Sequence, residues 1–152
     1  MELAQPKNWL DKVAIWCATY LIFVIVALSL LLPRYTGPLL IVLPILMAWL
    51  VAFLLQLVFR RNRPFQNGEK PFIKMMFETP SFPSAHTAIA TSVACVYLID
   101  DEPFWILFMS LAVIMAWSRV RVRVHYVSDT IAGAVVGIAG TYLGVAFLSR
   151  FL

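Results

Sequence analysis

The sequence predicts an all-α fold, a polytopic membrane bundle of about five transmembrane helices, and three observations carry that expectation. Of its 152 residues, 62% are hydrophobic and 13% charged, with a mean hydropathy of +0.86, far beyond the roughly half-apolar usage of soluble domains. Apolar stretches recur at about the 20-residue length that crosses a bilayer core. Between them stand the prolines and clustered charges that end helices and mark membrane interfaces. Spans of that length leave room for a single membrane-embedded domain, residues 1–152, without a separate soluble one.

Leu10 to Leu32 forms the first span, and Pro33-Arg34-Tyr35 closes it with a helix stop and an interfacial aromatic. The leading MELAQPKNWLDK opens with an acid, and the apolar run behind it is too long for a signal h-region and has no small-residue cleavage site. That run is therefore expected to be retained. Gly37-Pro38 restarts the chain, and Leu39 to Phe59 makes the second span, with Pro44 expected to kink it. From Arg60 to Pro83 the chain is polar and proline-rich, a loop at the interface. The third span runs from about Ser84 to Ile99. An acidic hairpin, Asp100-Asp101-Glu102-Pro103, follows, and its proline suits the first position of the fourth span, Phe104 to about Trp117. The fifth span covers about Ser128 to Leu148. Its Gly133–Gly137 and Gly140–Gly144 pairs have the G-x-x-x-G spacing that lets helix backbones approach closely in lipid. Cys17 and Cys95 fall inside apolar runs and read as small buried hydrophobes rather than a disulfide or a metal pair.

Threading five spans through a bilayer brings the ends of the second and fourth and the starts of the third and fifth to one side. Arg60, Arg61, Arg63, Ser84, His86, Arg119, Arg121, Arg123, His125 and Asp129 all fall there, against Arg34, the acidic hairpin and Arg150 on the other. Ionisable groups are costly in a membrane, so such convergence marks a functional site. The net charge of +4 and pI near 9.3 favour anionic lipids or phosphates over nucleic acid, because no RNA- or DNA-binding motif accompanies the charge.

The densest chemistry lies in SRVRVRVHYVSD, Ser118 to Asp129. Asp129 stands four residues after His125, one helical turn, where a carboxylate can hydrogen-bond the imidazole, fix its tautomer and make the other ring nitrogen a better nucleophile. Taken alone, the stretch also reads as an interfacial basic cluster touching headgroups. At the start of the third span, Pro83-Ser84-Ala85-His86 offers a helix N-terminus that serine can cap, with free N–H groups facing the arginines. Phosphoryl transfer needs cations and N–H donors around the phosphate oxygens, an in-line nucleophile and an acid on the leaving oxygen. His125 suits the nucleophile, His86 the acid that later activates water, and Arg63 and Arg119 the phosphate ligands.

These residues resemble the type 2 phosphatidic acid phosphatase superfamily, whose motifs are K-x6-R-P, P-S-G-H and S-R-x5-H-x3-D. The third matches in full as Ser118, Arg119, His125 and Asp129. The second matches as Pro83, Ser84 and His86, with Ala85 in place of glycine, a methyl that narrows the backbone's approach to phosphate. The first matches at Arg63 and Pro64, but Gln56 stands where the lysine would be, so charge would have to come from Arg60, Arg61, Arg121 or Arg123. Members that look like bacterial undecaprenyl diphosphate phosphatases share both the lost lysine and an R-P-F sequence. The resemblance implies a metal-independent phosphatase without a cofactor, acting in a helical bundle on a membrane lipid phosphate or diphosphate, undecaprenyl diphosphate first. It implies His125, His86 and Asp129 as catalytic residues, and Arg63, Arg119, Ser84 and Ala85 around the phosphate.

Arg121 and Arg123 add charge that would suit a second phosphate, if an alternating stretch sends both side chains to one face. Phosphatidylglycerophosphate or phosphatidic acid hydrolysis, lipid phosphotransfer, and non-catalytic anionic-lipid binding are the alternatives. Two warrants disagree on sidedness. The catalytic side holds Lys7, Lys12, Arg60, Arg61, Arg63, Lys70, Lys74, Arg119, Arg121 and Arg123, which the positive-inside rule places in the cytoplasm. The resemblance to carrier-recycling phosphatases instead implies an extracytoplasmic site in a bacterial or archaeal plasma membrane.

Overall fold

The computed structural model describes residues 2–33, 36–75 and 79–151, with the backbone alone at 151. The expectation for Arg34-Tyr35 lies outside the described residues, as do three residues of the polar loop. Five helices follow in order: α1 (Trp9–Leu31), α2 (Pro38–Phe59), α3 (Ala85–Ile99), α4 (Trp105–Arg121) and α5 (Val127–Phe151), with a 3-10 turn at Pro64–Asn67. No strand occurs among the described residues. Helices α1, α2 and α5 are long and apolar enough to cross a membrane, whereas α3, at 15 residues, is a shorter apolar helix.

Pro44 lies inside α2, which continues past it to Phe59. Two local readings change. Pro103 belongs to the turn rather than to the fourth helix, because Glu102 is anchored there: its N–H donates to the Tyr97 carbonyl and its carboxylate accepts from the Thr36 N–H at 2.9 Å. Helix α4 runs four residues past Trp117 to Arg121. No proline or glycine interrupts those residues, and the Arg119 charge that would argue for a helix end is buried against α1, where Nη1 donates to the Ala18 carbonyl at 2.9 Å.

Helix α3 sits at the centre and touches the other four helices. On one flank Ile25, Tyr97, Phe108 and Met115 form a fully buried core joining α1, α3 and α4. On the other, the glycines of α5 do what their spacing suggests. A Cβ on Gly137 would stand 2.5 Å from the Ala88 carbonyl oxygen of α3, and one on Gly140 2.5 Å from the Ala48 Cα of α2. Both backbones are close enough that only glycine fits, so dispersion and backbone contact replace the hydrophobic drive that lipid withholds. Cys17 and Cys95 are free thiols within the helices. This packing brings the N-termini of α1, α3 and α5 and the C-termini of α2 and α4 to one end.

Candidate active site

The end of α4 explains the six-residue step from Arg119 to His125. Arg123 adopts a left-handed conformation, φ 61°, just past the helix C-cap at Val122, the position where such a residue closes a helix. The chain then wraps back, so that the N–H groups of Val124 and His125 both donate to the Arg119 carbonyl at 3.3 Å. Nucleophile and guanidinium are thereby built on one helix end. Asp129 lies in the first turn of α5, and its Oδ2 accepts from the Tyr126 N–H at 2.9 Å, as the acid of a capping box does.

His125 is buried, and its ring is held from both sides. Nδ1 lies 2.8 Å from the Ser81 carbonyl oxygen, which can only accept, so Nδ1 carries the proton. Nε2 is then the lone pair, and Arg63 Nη1 stands 3.3 Å from it. The expected hydrogen bond from His125 to Asp129 is displaced by this arrangement. Asp129 Oδ2 is 3.6 Å from Nδ1, beyond hydrogen-bond range, because it accepts from the Ser81 hydroxyl and from Tyr126, while Oδ1 accepts from Arg61 Nη1 at 2.7 Å. The backbone carbonyl of Ser81 therefore fixes the tautomer, and Asp129 organises the loop that carries it. Burial, reinforced by the charges of Arg119 and Arg63 and opposed by Asp129, pushes the His125 imidazole down to about 4. Its Nε2 is unprotonated at neutral pH.

Arg63 is buried with its fork spread over the loop: Nε donates to the Thr79 carbonyl, Nη2 to the Thr79 hydroxyl, and Nη1 to the Val124 carbonyl at 2.9 Å. Arg119 is buried opposite, and its Nε has no partner among the described residues. The two guanidinium charges act on each other, and both act on His86 and His125. An unmatched buried donor beside a second arginine calls for an anion.

The N-terminus of α3 closes the site. The Ser84 N–H donates to the Asp129 carbonyl at 2.9 Å, which ties α3 to α5. Ser84 occupies the N-cap position but its hydroxyl does not cap the helix; it accepts from the Thr87 hydroxyl at 3.1 Å. The first-turn N–H groups are thus left for a ligand. His86, half-buried, stands in that turn.

Other expected residues lie elsewhere. Gln56 is buried with its Nε2 donating to the Pro83 carbonyl at 2.8 Å, so at the lysine position a neutral amide pins the approach to α3. Arg60 is exposed and caps α2 through the Leu57 carbonyl. The Ala85 methyl packs toward Ala48, Ala52 and Ala88. Arg121 and Arg123 do share one face, but it is a cleft beneath the N-terminal segment where Arg121 pairs with Asp11 at 2.8 Å and Arg123 with Glu69 at 3.8 Å. Thr79 and Ser81 carry no motif signal in the sequence. Arg61 stands among the converging cations and among the arginines that could replace the lysine's charge, and it is found on Asp129 instead; Ser81 acts on His125 through a backbone carbonyl, which has no sequence signature.

Residues 37–151 match the family model described as the PAP2 superfamily. The chain belongs to that superfamily. A relative from Escherichia coli (strain K12), named "Putative undecaprenyl-diphosphatase YbjG", is 31% identical over 148 residues, covering 90% of this chain and 74% of that protein. Two solved structures share the fold. The first transmembrane PAP2 type phosphatidylglycerolphosphate phosphatase from Bacillus subtilis superposes with a TM-score of 0.69 at 23% identity, over 97% of this chain and 80% of that one. Aquifex aeolicus LpxE gives 0.72 at 22%, over 93% and 88%. This PAP2 chain is an integral membrane protein of a lipid phosphatase family.

Proposed function

We propose that this PAP2 chain is a metal-independent lipid phosphate or diphosphate phosphatase working through a phosphohistidine at His125, with undecaprenyl diphosphate its leading substrate. The observation that carries this reading is the buried pair of arginines around an imidazole whose unprotonated Nε2 faces Arg63, with one guanidinium donor of Arg119 unmatched. Nε2 attacks phosphorus, the P–O bond to the lipid side breaks, and His86 gives its proton to the departing oxygen. His86 then takes a proton from water, whose oxygen displaces His125 and releases inorganic phosphate. Arg63, Arg119 and the first N–H groups of α3 hold the phosphoryl oxygens, where charge develops. The substrate is supported by the name of the Escherichia coli relative. It is no longer supported by Arg121 and Arg123, whose charges are paired away from His125 with Asp11 and Glu69.

Purified protein in detergent with excess chelator is expected to release inorganic phosphate from a polyprenyl diphosphate, and faster than from phosphatidic acid. Activity that returns only on adding a divalent cation would overturn the metal-independent reading. Transfer of the phosphoryl group to an added alcohol, without phosphate release, would make the protein a phosphotransferase.

The same reading places the site on the extracytoplasmic face of a bacterial inner membrane, where a carrier lipid is recycled, against the loop-charge bias. An Asn67→Cys variant reads this directly, since Asn67 is exposed beside the site while Cys17 is buried and Cys95 half-buried. Intact cells are expected to label with a membrane-impermeant thiol reagent. Labelling only after lysis would place the site in the cytoplasm.

A further inference from the structure

We infer that Gln56 is a positioning residue for the phosphoryl group: from α2 it sets the peptide that enters α3, and so aims the first N–H groups of that helix at the anion. This role rests on the phosphatase reading above and falls to a side chain with no charge to offer a phosphate.

The register of α2 puts Gln56 where it can act in this way. Pro44, Ala48, Ala52 and Gln56 are buried at four-residue intervals along α2, which is one face of a helix. Ala48 and Ala52 cluster with Ala88 and Ala85 of α3 and Val136 of α5, so small side chains let the three helices lie close. Gln56, one turn beyond Ala52, then reaches the start of α3, where its Nε2 donates to the Pro83 carbonyl at 2.8 Å. The bond is buried.

The peptide between Pro83 and Ser84 is held at both ends. Its carbonyl accepts from Gln56 of α2, and its N–H donates to the Asp129 carbonyl of α5 at 2.9 Å. A trans peptide is planar, with C=O and N–H pointing opposite ways, so partners on its two sides fix its plane. Helix α5 adds a restraint one peptide further on. A Cβ on Gly133 would stand 2.5 Å from the Ser84 carbonyl oxygen and 3.1 Å from the Thr87 Cβ, so this turn has no room to shift toward α5. The N–H groups that follow, of Ala85, His86 and Thr87, are first-turn donors whose direction is inherited from that plane. Without the amide the buried Pro83 carbonyl is left unmatched, and an unmatched buried acceptor is costly enough to turn toward another donor. The peptide turns with it, and the donors leave the place where charge develops on the phosphoryl oxygens.

Wild type is compared with Gln56→Met, which is close in size and loses the donor, and with Gln56→Lys, which loses the amide and keeps a donor. For each, kcat and KM are measured for phosphate release from a polyprenyl diphosphate, together with inhibition by inorganic phosphate. Amide hydrogen exchange is followed at the start of α3, where the Ser84 N–H is bonded to Asp129 and the Ala88 N–H to the Ser84 carbonyl. Gln56→Met is expected to lower kcat by about 10–100-fold, the scale that a misplacement of about 1 Å produces, with KM little changed. Exchange at those two amides should quicken while the rest of the bundle keeps its protection. Gln56→Lys is expected to restore both kcat and slow exchange. A raised KM with weaker phosphate inhibition, at unchanged kcat and exchange, would make Gln56 a phosphate ligand. Faster exchange at unchanged kcat would reduce it to a structural tether, and recovery of kcat by Gln56→Lys with exchange still fast would show that charge matters rather than position. Each of these overturns the proposal. If Gln56→Met does not fold, Gln56→Asn, whose amide stops one methylene short, is read in the same way. Failure of the parent reading shows separately, as turnover by a His125→Ala protein.

Discussion

A His125→Ala protein is expected to lose phosphate release by about 10⁴-fold or more, as when the nucleophile of a covalent mechanism is deleted, while still folding. Folding should survive because the contacts that shape the loop are made by the His125 backbone, whose N–H donates to the Arg119 carbonyl. Arg63 loses one neighbour but keeps Thr79, Pro80 and Val124 as acceptors. The residue lies at the end of the bundle, away from the glycines that seat α5 on α2 and α3. Monodisperse elution and a wild-type unfolding midpoint establish the fold, and phosphate release establishes the loss. Substantial turnover by a folded His125→Ala protein would end the phosphohistidine mechanism.

Replacing Arg119 separates activity from stability. Arg119→Leu is expected to cost about 10²–10³-fold in kcat, the range found when one preorganised donor to a developing oxyanion is removed. The unfolding midpoint should stay level or rise. Arg119 is buried with one donor unmatched and another arginine acting against it, and exchanging an uncompensated buried charge for an apolar side chain tends to stabilise. The hydrogen bond from its Nη1 goes to the Ala18 carbonyl, inside α1. Arg119→Lys should recover little activity, because a point charge does not reproduce the guanidinium fork. A variant that unfolds more easily and keeps its kcat would show that Arg119 serves the fold instead.

Most of the membrane fold was legible without coordinates. Hydropathy and helix stops set the five helices to within a few residues, and the glycine spacings announced the close seating of α5. The errors share one cause: a local signal was outweighed by a partner far away in sequence. Arg119 looked like a helix end because charge argues against lipid, yet Ala18, 101 residues away, gives it an acceptor inside the bundle. Arg121 and Arg123 looked like phosphate ligands by proximity to Arg119, but Asp11 and Glu69 claim them. Gln56 read as a missing cation, and folding made it a hydrogen-bond donor to Pro83.

What the sequence determined by itself was the class of chemistry and the residues able to perform it. Histidines and arginines are few here, an unneeded charge in a membrane is expensive, and helix polarity alone brings these residues to one end. What only the tertiary structure decided was how the histidine is held. The spacing of His125 and Asp129 promised a carboxylate on the imidazole. In the folded chain Arg61, Ser81 and Tyr126 occupy that carboxylate, and the Ser81 carbonyl accepts the hydrogen bond of the ring Nδ1–H. Four-residue spacing places two groups on one face of a helix, but His125 lies before α5 begins, and hydrogen-bond partners are settled by whichever donors and acceptors the loops bring within 3 Å or so. A backbone carbonyl is present at every position, so no pattern of side chains could have named the one that matters.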